Sequence, residues 1–190
     1  VDIIVVNDHS SSMAGNEKEA TAQVANAVLA HAALTVNGEI SASMRRQRYS
    51  EKIIRQSPPI RLLSLLFSNN VAAMNENGWE HGLEHEEIGL ENKEFEEERF
   101  IVELFSAYRK MVMGGTEDAA AAARALYEAF GRDFEAVPRA EDRVKIIVFL
   151  TDGVGYFHGM QALMNYLHGE SEVFPDSIRQ LIERIEPGAS

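Results

Sequence analysis

The chain has 190 residues, a length that suits one compact domain with a sizeable core. Its 30 acidic against 18 basic residues give a formal net charge of −12, which disfavours nucleic-acid binding, and no apolar run is long enough for a membrane span. The absence of cysteine excludes disulfides, thiolate metal sites and a cysteine nucleophile, and it leaves the compartment open between cytoplasmic and extracellular.

The first half of the chain predicts strands separated by a helix. A β-branched run at residues 2–7 is typical of a strand buried on both faces, and residues 16–34 carry apolar side chains at helical spacing. We expect this helix to end at Asn37 and Gly38. Residues 60–67 are a second strand candidate, and residues 71–74 predict a short antiparallel edge strand.

The second half begins with a polar, aperiodic tract at residues 75–93, which predicts an exposed insertion. Residues 94–113 predict a helix, which two glycines end. An alanine-rich helix is expected at residues 117–130, with Thr116 as its N-cap. The remaining elements are a second buried strand at residues 143–150 and helices near residues 158–168 and 175–186.

Strands that alternate with helices favour an α/β fold with a mainly parallel sheet, in one domain over residues 1–190. The chain begins directly on an apolar strand and stops after a helix and Pro187-Gly188, where a further strand is expected. We therefore expect it to be a fragment of a longer polypeptide that lacks the final strand or two.

Oxygen-bearing side chains follow both strong strand candidates. Asp8, Ser10 and Ser12 come after the first, and Asp152 comes after the other. Each turn alone would also fit a helix cap or a tight turn. Ligands bind beyond the carboxyl ends of parallel strands, however, and carboxylate and hydroxyl oxygens suit Mg²⁺, Mn²⁺ or Ca²⁺ better than zinc. With Thr116, these residues predict a divalent-metal site.

The order of these motifs resembles the von Willebrand factor type A (VWA) domain family and its metal-ion-dependent adhesion site. The matching segments are Asp-x-Ser-x-Ser-Met at residues 8–13, Gly-Gly-Thr at residues 114–116 and Thr-Asp-Gly at residues 151–153. The resemblance implies a three-layer, doubly wound, Rossmann-like sheet flanked by helices. Residues 38–59 and 75–93 depart from the family pattern, and Ser11 stands where the family often has glycine.

The resemblance also implies how the site works. Ser10, Ser12 and Thr116 would contact the metal directly, while Asp8 and Asp152 would act directly or through water. An Asp or Glu of a protein partner would complete the coordination, so the domain would be a binding module and not an enzyme. Family members serve in larger assemblies, including some with AAA+ ATPases, and we expect the same setting here.

The main alternative is a metal-dependent hydrolase that uses the same ion or a second cluster. His81, Glu84 and His85 match the inverted zinc-protease pattern H-x-x-E-H, but neighbouring glycines disfavour the helix that this motif requires. An exposed loop with loose metal affinity is the simpler interpretation. A third possibility is a structural α/β domain whose metal site has decayed.

Two other features have simple interpretations. The basic residues at 45–48, with Lys52 and Arg55, lack interleaved aromatic side chains and therefore predict a solvated helix face rather than a nucleic-acid site. His9 and His158 are the histidines expected nearest the metal site. We expect His158 either to line its rim or to be an exposed loop residue.

Overall fold

The computed structural model describes residues 1–14, 17–56, 60–73, 102, 105–115, 117–131, 143–152 and 158–185, without the side chains of residues 54–56 and 158–160. The strands are β1 (Asp2–Asp8), β2 (Arg61–Phe67), β3 (Val71–Ala73) and β4 (Lys145–Leu150). The helices are α1 (Lys18–Arg46), α2 (Glu51–Gln56), α3 (residues 105–110), α4 (Asp118–Phe130), α5 (His158–Leu167) and α6 (Asp176–Glu183).

The four strands form one mixed sheet in the order β3-β2-β1-β4. β1 is parallel to both β2 and β4, whereas β3 is antiparallel to β2. This confirms the predicted α/β class and the predicted antiparallel strand after β2. The chain passes from β1 to β2 on one side and later returns to β4 on the other. The crevice between the carboxyl ends of β1 and β4 is therefore a topological switch point, the usual ligand position in open α/β sheets.

The side chains of β1 point alternately to the two faces of the sheet, and helices cover both faces. Val5 packs in a cluster with Ala30 of α1 and Tyr108 of α3. Ile4 and Val6 point to the opposite face and pack against α4. The small side chains of α4 allow a close approach to the sheet; its buried residues in that cluster are Ala121, Ala125 and Ala129.

The helices that follow β4 are close to their predicted positions and pack against α4. Leu163 of α5 and both Ile178 and Ile182 of α6 pack with Leu126 of α4 in a separate buried cluster. Within the described ranges, no helix is long and apolar enough to cross a membrane.

The prediction that α1 ends at Asn37 and Gly38 was wrong, because the helix continues to Arg46. Asn37 is buried. Its Nδ2 donates a hydrogen bond to the carbonyl of Ile60 at 2.7 Å, and its Oδ1 accepts one from the N–H of Ile60 at 2.8 Å. Both polar atoms of the Asn37 side chain therefore have hydrogen-bond partners in the segment that leads into β2, and Asn37 does not end the helix. Arg45, in the last turn, complements the helix dipole and pairs with Glu51 of α2 at 2.9 Å.

The strand at residues 145–150 is less buried than predicted. Ile146 is 43% exposed, and most of the strand is only half-buried. Among the described strands, β4 is at one end of the sheet and pairs only with β1, which leaves part of it uncovered. The predicted insertion at residues 75–93 lies outside the described residues, as do His81, Glu84 and His85.

The first residue of β1 is a buried carboxylate surrounded by basic groups. Arg61 Nε and Arg143 Nε donate hydrogen bonds to Asp2 Oδ1 at 2.7 and 2.6 Å, and Lys145 Nζ contacts Oδ2. Burial raises the pKa of Asp2, but these hydrogen bonds outweigh burial and hold the pKa well below its ordinary value. Because Arg61 begins β2 and Lys145 begins β4, Asp2 ties the central strand to both neighbours.

Replacing Asp2 with Asn should lower the free energy of unfolding at neutral pH by about 3 kcal/mol, because basic groups then surround a neutral amide. The folded-state pKa of Asp2 is depressed, so its contribution is present above the unfolded pKa of about 3.9 and is lost as the pH falls through the folded pKa. Urea denaturation across this range should show the difference between wild type and Asp2→Asn shrinking below about pH 4. A difference that does not change with pH would contradict this role.

Candidate metal centre

Asp8 lies at the carboxyl end of β1 and is almost fully buried. Its Oδ1 accepts a hydrogen bond from the backbone N–H of Ser10, and its Oδ2 accepts one from Thr151 Oγ1, both at 2.8 Å. The second bond follows from the strand register, since Asn7 pairs with Leu150 and the next residues of the two strands then lie side by side. Asp8 therefore joins the turns that leave β1 and β4.

The hydroxyl groups of the serines after Asp8 point in two different directions. Ser10 Oγ and Ser12 Oγ meet at 2.9 Å, whereas Ser11 Oγ donates to the carbonyl of Gly114 at 3.0 Å. A short 3₁₀ turn at Ser11–Met13 produces this alternation, and the buried Met13 side chain anchors it to the core. Two hydroxyls thus converge on one side while the third holds a neighbouring loop.

That neighbouring loop contains Gly114 and Gly115, and it is held by the turn that leaves β2. Asn69 Oδ1 accepts a hydrogen bond from the N–H of Gly115 at 2.6 Å, and the carbonyl of Ser68 accepts one from the N–H of Glu117 at 3.0 Å. Thr116 lies outside the described residues, although both of its chain neighbours are tied to this turn. The N-cap position of α4 is Glu117, so the prediction that Thr116 caps this helix was wrong by one residue.

Asp152, two residues after β4, is the second carboxylate of the predicted set. Its side chain is only 3% exposed, and its Oδ2 lies 2.9 Å from Lys18 Nζ. The same ammonium group lies 3.4 Å from the carbonyl oxygen of Ser12. A cavity of about 420 Å³ opens beside this pair, between the start of α1 and the end of β4. One lysine therefore links the Asp152 turn to the serine turn.

His9 is not directed toward this cavity. It is buried, its Nε2 lies 3.0 Å from the carbonyl oxygen of Met111, and its ring packs edge-on against Tyr108. Its Nδ1 lies 3.2 Å from Glu19 Oε1, an ion-pair distance without hydrogen-bond geometry. His9 therefore connects the turn after β1 to α1 and α3. His158 begins α5, and its side chain is outside the described set.

Two further residues near the site were not predicted from the sequence, in addition to Lys18 and Asn69. Ser68 Oγ donates to the carbonyl of Val112 at 2.8 Å and so holds the segment before the glycines. Asp118 begins α4, and burial raises the pKa of its carboxyl. Hydrogen bonds from the backbone lower that pKa, whereas the nearby negative charges of Asp8 and Glu117 raise it, and the net shift is upward. No spacing in the sequence distinguishes these residues, because their partners come from distant segments.

The observed donor atoms fit a hard divalent cation. Octahedral Mg²⁺ binds oxygen at about 2.1 Å, which places adjacent ligands about 3 Å apart. Ser10 Oγ and Ser12 Oγ are hydrogen-bonded to each other at 2.9 Å, a separation that two adjacent Mg²⁺ ligands would also have, and both hydroxyl oxygens retain lone pairs. Asp8 and Asp152 carry carboxylates in the adjoining turns, and the carboxylate of Asp152 is paired with Lys18. In the described part of the chain, no three His, Cys, Asp or Glu residues group to hold an ion, so a site here depends on the hydroxyls.

No protein-family model matches the chain significantly, and neither does any curated protein or solved structure.

Gly114→Ala should break one contact between this loop and the β2 turn, the hydrogen bond from Gly115 to Asn69. A Cβ at position 114 would lie 2.2 Å from Asn69 Nδ2, so the amide must swing away and lose its bond to Gly115. We expect Gly114→Ala and Asn69→Ala each to lower the free energy of unfolding by about 1 kcal/mol, the net value of one hydrogen bond. The double variant should lose no more than either single one, because both changes remove the same bond. Additive losses in urea denaturation would contradict this.

Proposed function

We propose that this chain is a divalent-metal-dependent protein-interaction module of the VWA type. Asp8, Ser10, Ser12, Thr116 and Asp152 would hold Mg²⁺, or Mn²⁺ or Ca²⁺ in its place, and a partner's Asp or Glu would complete the shell. The single observation that carries the proposal is the convergence of Ser10 Oγ and Ser12 Oγ at 2.9 Å beside the buried Asp8. Such a module would act within a larger assembly.

The sheet order supports this proposal. Four of the five proposed ligands, Asp8, Ser10, Ser12 and Asp152, come from the ends of β1 and β4, the two strands that flank the switch point. The loop at Gly114 also reaches this edge, since Ser10 and Gly114 form an isolated parallel bridge. Three segments far apart in sequence therefore meet where an open α/β sheet ordinarily binds its ligand.

The balance of charge favours binding over catalysis. A divalent ion held by two carboxylates and neutral hydroxyls keeps its Lewis acidity and would attract a further carboxylate. A hydrolase would also require a general base aimed at a bound water or substrate. The buried His9 instead contacts Met111 and Tyr108. The alternative cluster of His81, Glu84 and His85 lies outside the described residues.

Mg²⁺ should raise the melting temperature of the wild-type protein, because a ligand that binds only the folded state stabilises it by mass action. Ser12→Ala removes one proposed ligand from an exposed position and should weaken that rise strongly without unfolding the domain. Thr116→Ala should have the same effect. Thermal denaturation at increasing Mg²⁺, with Ca²⁺ and Mn²⁺ in parallel, measures both.

Ser11→Ala is the matched control. It removes the hydroxyl that bonds the carbonyl of Gly114, while the backbone N–H of residue 11 keeps its own bond to that carbonyl at 2.9 Å. It should retain the wild-type response to Mg²⁺. His85→Ala should retain it as well, which separates this site from the alternative cluster. An equal response in Ser11→Ala and Ser12→Ala, or no response in the wild type, would reject the metal site.

The partner's carboxylate can be tested without knowing the partner. A random peptide library should be selected on the wild-type protein in Mg²⁺ and eluted with a chelator, with Ser12→Ala as the counter-selection. We expect enriched peptides to share an Asp or Glu, and its replacement by Asn or Gln to abolish binding. Enrichment that does not depend on an acidic residue would argue against metal-mediated recognition.

A further inference from the structure

We propose that Lys18 is a tethered cation that competes with the divalent ion for Asp152. This inference rests on the proposed metal site and adds a form of regulation to it. In the structure, Lys18 Nζ pairs with Asp152 Oδ2 at 2.9 Å and also lies 3.4 Å from the carbonyl oxygen of Ser12. A positive charge therefore already lies between two of the turns that form the site.

The position of Lys18 in α1 supports a specific role for this contact. It is the first residue of the helix, where the backbone N–H groups present a partial positive charge. A cation is unfavourable at that end of a helix, and the contacts with the Asp152 carboxylate and the Ser12 carbonyl offset this cost. Glu17, immediately before it, has φ 61°, a left-handed conformation that is uncommon outside glycine. The start of α1 is thus held in a less favourable arrangement beside the site.

The burial of Asp152 explains why a tethered cation would be needed. Its side chain is 3% exposed, and a buried carboxylate without a counter-charge is strongly destabilising. Lys18, by contrast, is 38% exposed and borders the cavity of about 420 Å³. Lys18 can therefore move toward the cavity when another cation takes over the pairing with Asp152.

A divalent ion and the ammonium group cannot both lie against the same carboxylate oxygen, because the two positive charges repel at such distances. A divalent ion that binds Asp152 Oδ2 directly therefore displaces Lys18 and frees the side chain at the start of α1. The lysine lowers the affinity of the site and makes occupancy depend on the concentration of the ion. It also couples metal binding to the position of α1, whose first turn borders the cavity.

The test is Mg²⁺ binding by isothermal titration calorimetry, with melting temperature as a second measurement. Lys18→Met should tighten Mg²⁺ binding by at least about fivefold, the lower end of ordinary coupling between two ligands. Its metal-free melting temperature should fall, and the rise caused by Mg²⁺ should exceed that of the wild type. Lys18→Gln gives a second neutral side chain should the first variant fold poorly.

Two controls separate this effect from a general change in charge. Lys18→Arg keeps a cation at the site and should bind Mg²⁺ as the wild type does. Lys52→Met removes the same charge from α2, beyond the far end of α1 and about 40 Å from Lys18 along the helix. It should leave Mg²⁺ binding unchanged.

The possible results distinguish the two proposals. Tighter binding in both neutral Lys18 variants, with unchanged binding in the controls, supports competition. If neither neutral Lys18 variant binds Mg²⁺ more tightly than the wild type does, the competition is overturned and the metal site is left intact. If the wild type does not respond to Mg²⁺, the metal site and the competition are both rejected.

Discussion

The in-register parallel pairing of β1 with both β2 and β4 is the constraint on which the rest of the molecule depends. Because Asp2 pairs with Arg61 on one side and Lys145 on the other, the three strands begin at the same level. They then end together, with Asp8 opposite Phe67 and Asn7 opposite Leu150. A shift of one residue in either pairing would turn every side chain to the opposite face. It would also separate Asp8 from Thr151.

The two ends of β1 use carboxylates in opposite ways. At the amino end, Asp2 is surrounded by three basic side chains and is committed to holding the sheet. At the carboxyl end, Asp8 accepts hydrogen bonds from a backbone N–H and a hydroxyl, and neither donor carries a charge. A carboxylate that is oriented but not neutralised can still attract a cation. The proposed ligand site at Asp8 and the structural ion cluster at Asp2 are consistent with this difference.

Local patterns were sufficient to predict β1, β2, the antiparallel β3 and the alanine-rich α4, because each has side chains whose spacing matches its burial. They were insufficient for the length of α1, since Asn37 is satisfied by Ile60, 23 residues further along the chain. The limit was the same at the site. The positions of Asp8, Ser10 and Asp152 at the ends of strands could be predicted from the sequence. The contacts of Asn69 and Lys18 could not, because the fold alone brings their partners close.

The site combines a rigid part with an adjustable part. Asp8 and Ser10 are buried and held by the backbone at the end of the central strand, so their positions are set by the sheet itself. Ser12 is exposed and Lys18 is partly so, and both can move without disturbing the core. A metal site of this construction would have fixed ligands on the sheet side and exchangeable ones on the solvent side. An incoming carboxylate would approach from the solvent side, where rearrangement costs the fold least.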